Sequence, residues 1–460
     1  MAERCDRGLP MLNDMIAVTS MKVAGTALWL GYTVLLARLL PAADYGLVMY
    51  AITVLSIAGP LTCLGLNSAM LRFGSIYWHQ DRPAALLGLL AEARWTIAPA
   101  SLAGAAAVAM AFELALGIGG AAGGIGWTAV AIVAAGLPLY GAMEIHRETL
   151  RAVDRVVAGF LGFNVLRALV PAVAAAALAV AGWLSVETAL AGFVGGLALI
   201  AAIDGRRIVA VIGGAGGARD VADRPAWRRV ARPMVVAEAL VHWIARGDVL
   251  IVGALLGLRA AAIYLTAQRL AVLVSFVVDA VRLTLEPMVA RRHAEDDRAG
   301  MQALMARGSL ASTAAGMPIA LAIGGGGWLL LGLYGVEFRD GWLVLAILVL
   351  GQLTTVLAGP VAAVLRMTGL ERPLTAVLVV AAVALTAVVP AGIAVAGVEG
   401  AAAGAALVTA GSNLAYLVIA RRRLGLRIGP GSGMFAPVLL RSVLAEVLLQ
   451  LQRVWRRAER

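Results

Sequence analysis

Cysteine is nearly absent from this chain. Cys5 and Cys63 are the only two among 460 residues, so neither a disulfide framework nor a cysteine metal site follows. Histidine occurs four times, and His79, His146 and His293 stand isolated in or near polar gaps. No His-Glu metal pattern, paired carboxylates or nucleophile motif accompanies them, so neither an enzyme nor a cofactor is expected. The glycine cluster at 213–217 is followed by no Gly-Lys-Ser/Thr and preceded by no strand, which excludes a phosphate-binding loop. Charge is sparse as well: 14% of residues are Asp, Glu, Lys or Arg, against about 25% in soluble domains.

Apolar residues take that space. They make up 61% of the chain, with a mean hydropathy of +0.89. A soluble fold of this composition aggregates, whereas a bilayer accepts it. The net charge of +11 sits at the ends of apolar segments, where it meets anionic membrane lipids rather than nucleic acid. Twelve segments are read at about 15–40, 46–70, 86–112, 127–146, 156–180, 188–203, 233–255, 261–286, 302–323, 342–364, 374–394 and 400–420. Each approaches the ~20 residues that carry a helix across ~30 Å of hydrocarbon. Residues 1–14 carry Arg4, Asp6, Arg7 and Asp14. The first apolar run continues past a signal-sized core, so the first helix is expected to be retained.

The arginines alternate. Gaps 72–83, 147–155, 204–232, 288–300 and 366–373 hold seventeen, while 41–45, 113–126, 182–187, 256–260, 324–341 and 395–399 hold only Arg259 and Arg339. Arginine-rich short loops stay in the cytoplasm. The expected fold is therefore an all-α integral membrane protein of about twelve transmembrane helices with both termini cytoplasmic. The expected layout is an N-terminal tail (1–14), six helices (15–203), a Gly-, Arg- and Asp-rich linker (204–232), six more helices (233–420) and a basic tail (421–460). Within that tail, Met434–Arg460 has Leu440, Leu444, Val447, Leu448, Leu451 and Trp455 at helical spacing, which predicts an amphipathic helix on the inner membrane surface. Pro60, Pro99, Pro138, Pro171, Pro318, Pro360 and Pro390 fall inside spans and predict kinks. Gly192/Gly196 and Gly400/Gly404 have the small-residue spacing of close helix crossings. Both six-helix halves show a faint repeat at an offset of 216, with Asp81-Arg82 matching Asp297-Arg298. Two halves in the same orientation imply parallel repeats.

Several runs together resemble the Wzx-type polysaccharide flippases. The run Ala37–Gly46 is similar to the signature after their first helix, and Leu64–Phe73 to the end of their second. Arg246–Gly257 with Ala262–Ala267 is similar to their seventh helix and its turn. Gly332–Phe338 and Leu365–Arg372 are similar to later landmarks. Pro41 stands where glycine is frequent, which leaves the turn intact. The resemblance implies the multidrug/oligosaccharidyl-lipid/polysaccharide exporter fold: two six-helix lobes around a central cavity. It also implies transfer of an undecaprenyl-diphosphate-linked oligosaccharide from inner to outer leaflet of the cell inner membrane by alternating access. A lipid-linked anionic oligosaccharide is the implied cargo, with a polysaccharide polymerase and a chain-length regulator as implied partners. A peptidoglycan-precursor flippase and a multidrug or cation exporter share the fold.

Ionisable side chains within spans are costly and usually face a cavity or a partner. Glu238, His242 and Arg246 recur every four residues and so share one helix face. Either they form an ion-pair ladder, or they line a cavity in which Arg246 meets phosphate or acidic-sugar oxygens. Lys22, at the offset position of Glu238, is either a second cavity cation or the partner of Glu238. With Arg167 and Arg269 these cations form the candidate substrate set. Glu238, His242, Asp248 and Asp279 form the candidate coupling-ion set. Asn67, Gln268, Gln352 and Asn413 are read as interhelical hydrogen-bonding residues.

Overall fold

The computed structural model describes residues 8–119, 126–212, 219–426 and 428. The amphipathic helix expected at 434–460 lies outside the described residues. Among the described residues the regular elements are all helical. In chain order they are α1 (Gly8–Leu39), α2 (Ala42–Leu61), α3 (Leu66–His79), α4 (Pro83–Gly119), α5 (Trp127–Ala152), α6 (Val156–Val180), α7 (Val186–Ile212) and α8 (Arg224–Leu256). There follow α9 (Leu258–Val272), α10 (Phe276–Ala294), α11 (Arg298–Gly332), α12 (Trp342–Ala358), α13 (Val361–Met367) and α14 (Glu371–Ile419).

Ten of the helical runs are long and apolar enough to cross a bilayer. The last of them, Glu371–Leu424, has 54 residues. At ~1.5 Å per residue it is far longer than twice a ~30 Å hydrocarbon core. It bends at Ala396 and Gly397, whose backbone angles are not helical. Counting that run twice, and adding the 37-residue α4, gives the twelve crossings that the hydropathy implies.

The elements differ from the sequence segments where the backbone must turn. Segment 46–70 is two helices, because Leu64 (φ 45°) and Gly65 (φ 76°) turn left-handed between α2 and α3. Segment 342–364 breaks at Gly359 (φ 64°), so Pro360 precedes α13 instead of kinking a span. The other six prolines lie within helices. Two charged gaps are largely helical. α5 runs on to Ala152 and carries Arg147 and Arg151. The linker's two ends belong to α7, which reaches Ile212, and α8, which begins at Arg224. His146, expected near a loop, is buried on α5, and Asp204, expected in the linker, is buried on α7.

Two compact units result, Met1–Ala262 and Ile263–Arg460. The first includes α8. Within it α5 is the hub, packed on α2, α3, α4, α6 and α7, while α8 packs on α2, α3 and α4. Within the second, α12 packs against both α11 and α14. Lipid gives apolar side chains little reason to leave it, so close helix approach relies on small residues. A methyl at Gly192 would lie 3.3 Å from Ala174, and one at Gly196 3.4 Å from Val170. Gly400 faces the backbone of Gly392, where α14 turns back on itself. Asn413 donates to Thr354 (3.0 Å) and Thr355 (2.9 Å), bonding α14 to α12.

The start of α8 is fastened to α3 and α4. Glu92 on α4 is 2% exposed and accepts Nε of both Arg224 (2.7 Å) and Arg228 (2.9 Å). Trp227, fully buried, donates its indole N–H to the Tyr77 hydroxyl at 2.7 Å. Tyr77 in turn donates to Asp223 at 2.7 Å. Loss of water around the Tyr77 phenol, with Asp223 beside it, pushes its pKa up to about 12 even though the Trp227 donor opposes the shift. This arrangement fixes the axial position of α8, and with it the residues that α8 carries deeper in the unit.

Candidate functional site

The charged face of α8 does not form a ladder. Glu238 Oε1 accepts from Asn67 Nδ2 (2.8 Å) and Ser68 Oγ (3.4 Å) on α3. Among the described residues its Oε2 has no hydrogen-bond partner, nor does His242 Nδ1. Lys22 is not the partner of Glu238: its ammonium lies 5.8 Å from the centre of the Phe160 ring. Arg246 has Tyr140, Arg167, Asp248 and Glu144 as its electrostatic neighbours. Among the described residues no carboxylate lies within ion-pair distance of it. Asp248 is 3% exposed and accepts the N–H of Val249 at 2.9 Å.

The rest of the site comes from α5 and α6. Tyr140, Glu144, Arg147, Glu148 and Arg151 recur at helical spacing on one face of α5. Glu144 and Glu148, 4% and 3% exposed, are buried deeply enough that an unpaired charge would be prohibitive. Arg147 lies 2.6 Å from Glu144 and 2.8 Å from Glu148, and Arg151 lies 2.6 Å from Glu148. α6 loosens into a π turn at Leu161–Leu166, a feature often found where a helix must re-aim side chains. Gly162 in that turn gives Asp204 of α7 room: a methyl there would lie 2.6 Å from its carboxylate.

Phe163 in the π turn and Phe160 just before it lie among the cations. Phe163 has Arg147 at 4.2 Å and Arg167 at 4.5 Å from its centre. Phe160 has Arg151 at 5.2 Å and Lys22 at 5.8 Å. Such contacts hold a guanidinium in place without cancelling its charge. Arg167 also donates to Tyr140 Oη (3.0 Å) and to the Phe163 carbonyl (3.2 Å), and lies 5.4 Å from the Trp29 ring. The cluster therefore has five cations and, counting Asp248, four carboxylates. Arg147 and Arg151 are neutralised at contact distance. Among the described residues Lys22, Arg167 and Arg246 have no carboxylate at contact distance: Lys22 and Arg167 lie against aromatic rings, Arg167 also donates to a hydroxyl, and Arg246 has only the electrostatic neighbours named above.

Of the residues singled out in the sequence, Lys22, Arg167, Glu238, His242, Arg246 and Asp248 are all in this unit. Arg269 and Asp279 belong to the second unit. Asp279 is exposed there and pairs with Arg282 at 3.5 Å. Sequence reasoning missed Arg147, Glu148 and Arg151, because 147–155 counts as a loop when only hydropathy is read, and with them Glu144 at the end of the segment 127–146. Their signal was the alternation of acid and base three and four residues apart, which suits a helix and not a loop.

The same unit also has an apolar groove of about 640 Å³. Its walls come from α2, α4, α5 and α8, among them Tyr50, Val54, Ala103, Val133 and Leu250. The Tyr50 hydroxyl donates to the Leu250 carbonyl at 3.3 Å, so the groove's one phenol is satisfied. α5 and α8 thus carry both features: groove residues at one end of each helix and charges farther along.

No protein-family model matches the sequence, and no curated protein matches it. Solved structures do. A multidrug resistance MATE family transporter of the MOP superfamily, in an inward-facing conformation, aligns over 89% of this chain and 98% of its own, with TM-score 0.67 and 13% identity. The lipid II flippase MurJ, in an inward closed conformation, aligns over 88% of this chain and 87% of its own, with TM-score 0.66 and 11% identity. A MOP superfamily transporter from Pyrococcus furiosus, described by the reverse polarity of its binding pocket, aligns over 91% and 94%, with TM-score 0.54 and 14% identity. At these identities the likeness is one of fold: the chain is a multi-pass, all-helical membrane protein with the fold of these proteins.

Proposed function

We propose that this chain is a flippase that moves an undecaprenyl-diphosphate-linked oligosaccharide across the cell inner membrane by alternating access, for polysaccharide synthesis, with both termini in the cytoplasm. The observation that carries the reading is the trio Lys22, Arg167 and Arg246. Three cations kept free of contact carboxylates inside a span-forming unit are costly unless an anion visits them. A diphosphate supplies that anion, and Arg246 and Arg167 supply guanidinium donors for its oxygens. The apolar groove suits a polyprenyl chain, so one unit offers surfaces for both halves of a lipid diphosphate. The flat faces of Phe160 and Phe163 and the hydroxyl of Tyr140 suit sugar rings at the polar end. Glu238 and His242, each with one unbonded polar atom, are the proposed coupling groups. A polymerase and a chain-length regulator are the proposed partners.

The fold neighbours include a multidrug transporter, and such an exporter is the second reading. Cationic apolar drugs favour acidic or aromatic surroundings, and the surplus of unneutralised cations disfavours them here. For the neighbour described by reversed pocket polarity, that polarity is said to suggest a different function. The deciding experiment reconstitutes the full-length protein in liposomes and follows a fluorescent polyprenyl-diphosphate saccharide from one leaflet to the other. Transfer that exceeds protein-free leakage and is lost in Arg246→Ala supports the flippase. Unchanged transfer by Arg246→Ala at equal protein density removes Arg246 from the mechanism. Drug sensitivity of a deletion strain, with polymer export intact, would favour the exporter. Accessibility of a tag near Gly326 only from the cytosol would overturn the orientation.

A further inference from the structure

A second crevice, of about 570 Å³, lies between α4 and α7. Leu87, Leu90, Ile208 and Ile212 give it apolar walls, and Arg94 and Arg219 bring two guanidiniums to it. Trp95 also lines it and is 74% exposed. The arginines of this neighbourhood fall into two classes. Arg224 and Arg228 are spent on Glu92, and Arg82 pairs with Asp220 at 3.1 Å. Arg94 and Arg219 are exposed, and among the described residues neither has a carboxylate within ion-pair distance. Glu92 is only two residues before Arg94, but it is buried on another face of α4 and already holds two cations.

Tryptophan favours the headgroup level of a bilayer, and arginine extends its apolar stem along hydrocarbon to reach the same level. Trp95 and Arg94 therefore place this crevice at the membrane boundary. Its walls match an acyl chain and its two cations match a phosphate. We infer that the crevice binds an anionic phospholipid of the surrounding bilayer, with its phosphate between Arg94 and Arg219 and one chain against the leucine and isoleucine walls. The site is separate from the transport reading and does not depend on it.

Trp95 is the reporter. The full-length protein is placed in phosphatidylcholine nanodiscs containing phosphatidylglycerol, with bromine on the acyl chains of one lipid or the other. The Trp95 signal is taken as the difference between each protein and its Trp95→Phe counterpart. Brominated phosphatidylglycerol should quench Trp95 in preference to brominated phosphatidylcholine at equal mole fraction. Each arginine should contribute about a fivefold preference, the equivalent of ~1 kcal/mol. The double variant Arg94→Gln/Arg219→Gln should bring the ratio to about one, while Arg155→Gln, an exposed arginine elsewhere, leaves it in place. Molar salt applied to the unaltered protein should produce the same loss by screening, so the result does not hang on the variant folding. Soluble glycerol phosphate should not displace the lipid. Equal quenching by both lipids, a preference that survives the double variant and salt, or displacement by glycerol phosphate would each overturn the assignment.

Discussion

The two units treat charge in opposite ways. In Met1–Ala262, Glu92, Glu144, His146, Glu148, Asp204 and Asp248 are all buried. In Ile263–Arg460 the described residues include no fully buried charged side chain, and the buried hydroxyls belong to Tyr264, Thr266, Ser309, Ser312 and Tyr334. The second unit's ion pairs range from exposed, as Arg291 with Glu295 at 2.9 Å, to half-buried, as Arg282 with Glu286 at 4.0 Å. Buried charge costs several kcal/mol per ion before pairing offsets it. The first unit buries whole charged side chains, whereas the second shields its charged groups only in part, as at Arg282 and Glu286. The difference is the reason the proposed transport chemistry is assigned to the first unit.

That contrast can be broken by substitution. Glu92→Ala should be the most damaging, because it strands Arg224 and Arg228 without their carboxylate. Removing one member of a buried pair costs about 3–5 kcal/mol, read as a large fall in thermal unfolding temperature in detergent. Asp279→Ala in the second unit should cost at most about 1 kcal/mol, as exposed pairs do. If the two variants unfold alike, the contrast between the units has no energetic content.

Arg246→Ala should leave unfolding nearly unchanged, because the guanidinium has no contact carboxylate to strand. It should cut transfer of a polyprenyl-diphosphate saccharide by roughly thirtyfold, the equivalent of ~2 kcal/mol for one lost charge-assisted contact. Arg282→Ala, its counterpart for comparison in the second unit, should change transfer less than about twofold. Equal losses from both would spread the function across the chain.

Tyr77→Phe should cost about 1–2 kcal/mol, since it removes the acceptor of Trp227 and the donor to Asp223. The intact phenol also predicts a pH dependence. Its folded value, about 12, lies above the ordinary value of 10.0. Its contribution to stability is therefore complete below pH 10.0 and is lost as pH rises towards 12. Unfolding measured through that window should show the loss in the native protein and not in Tyr77→Phe. The smallest effect belongs to the second unit. The Gly300 N–H and the Arg292 guanidinium hold the Asp297 carboxyl below its usual range. Its contribution is present above the usual carboxylate range and fades as pH falls through the depressed value. Asp297→Asn should erase that acid-side slope.

Hydropathy legibly marked every crossing, because crossing a bilayer depends on a local run of apolar residues. It also marked the shared face of Glu238, His242 and Arg246, because helical periodicity is local too. It misplaced Arg147 and Arg151, which were counted among loop charges, since polarity alone does not distinguish a solvated loop from a helix end that turns its charges inward. It left two partners open for Glu238, an ion-pair ladder or Lys22. The observed partners are Asn67 and Ser68, some 170 residues away in the chain. The breaks at Leu64-Gly65 and Gly359-Pro360 were hidden inside apolar runs, since a left-handed turn hardly changes hydropathy.

The sequence by itself determined that this chain lives in a membrane and how many times it can cross one, for the hydrocarbon filters each segment by its own composition. Only the tertiary structure decided which charges meet a carboxylate at contact distance and which do not. Arg147 and Lys22 are both cations on apolar helices. Arg147 touches Glu144 and Glu148 because α5 presents all three on one face, whereas Lys22 of α1 meets the ring of Phe160, carried by α6. An electrostatic interaction depends on distance and local polarity, and both are set by how helices far apart in the chain come to lie side by side.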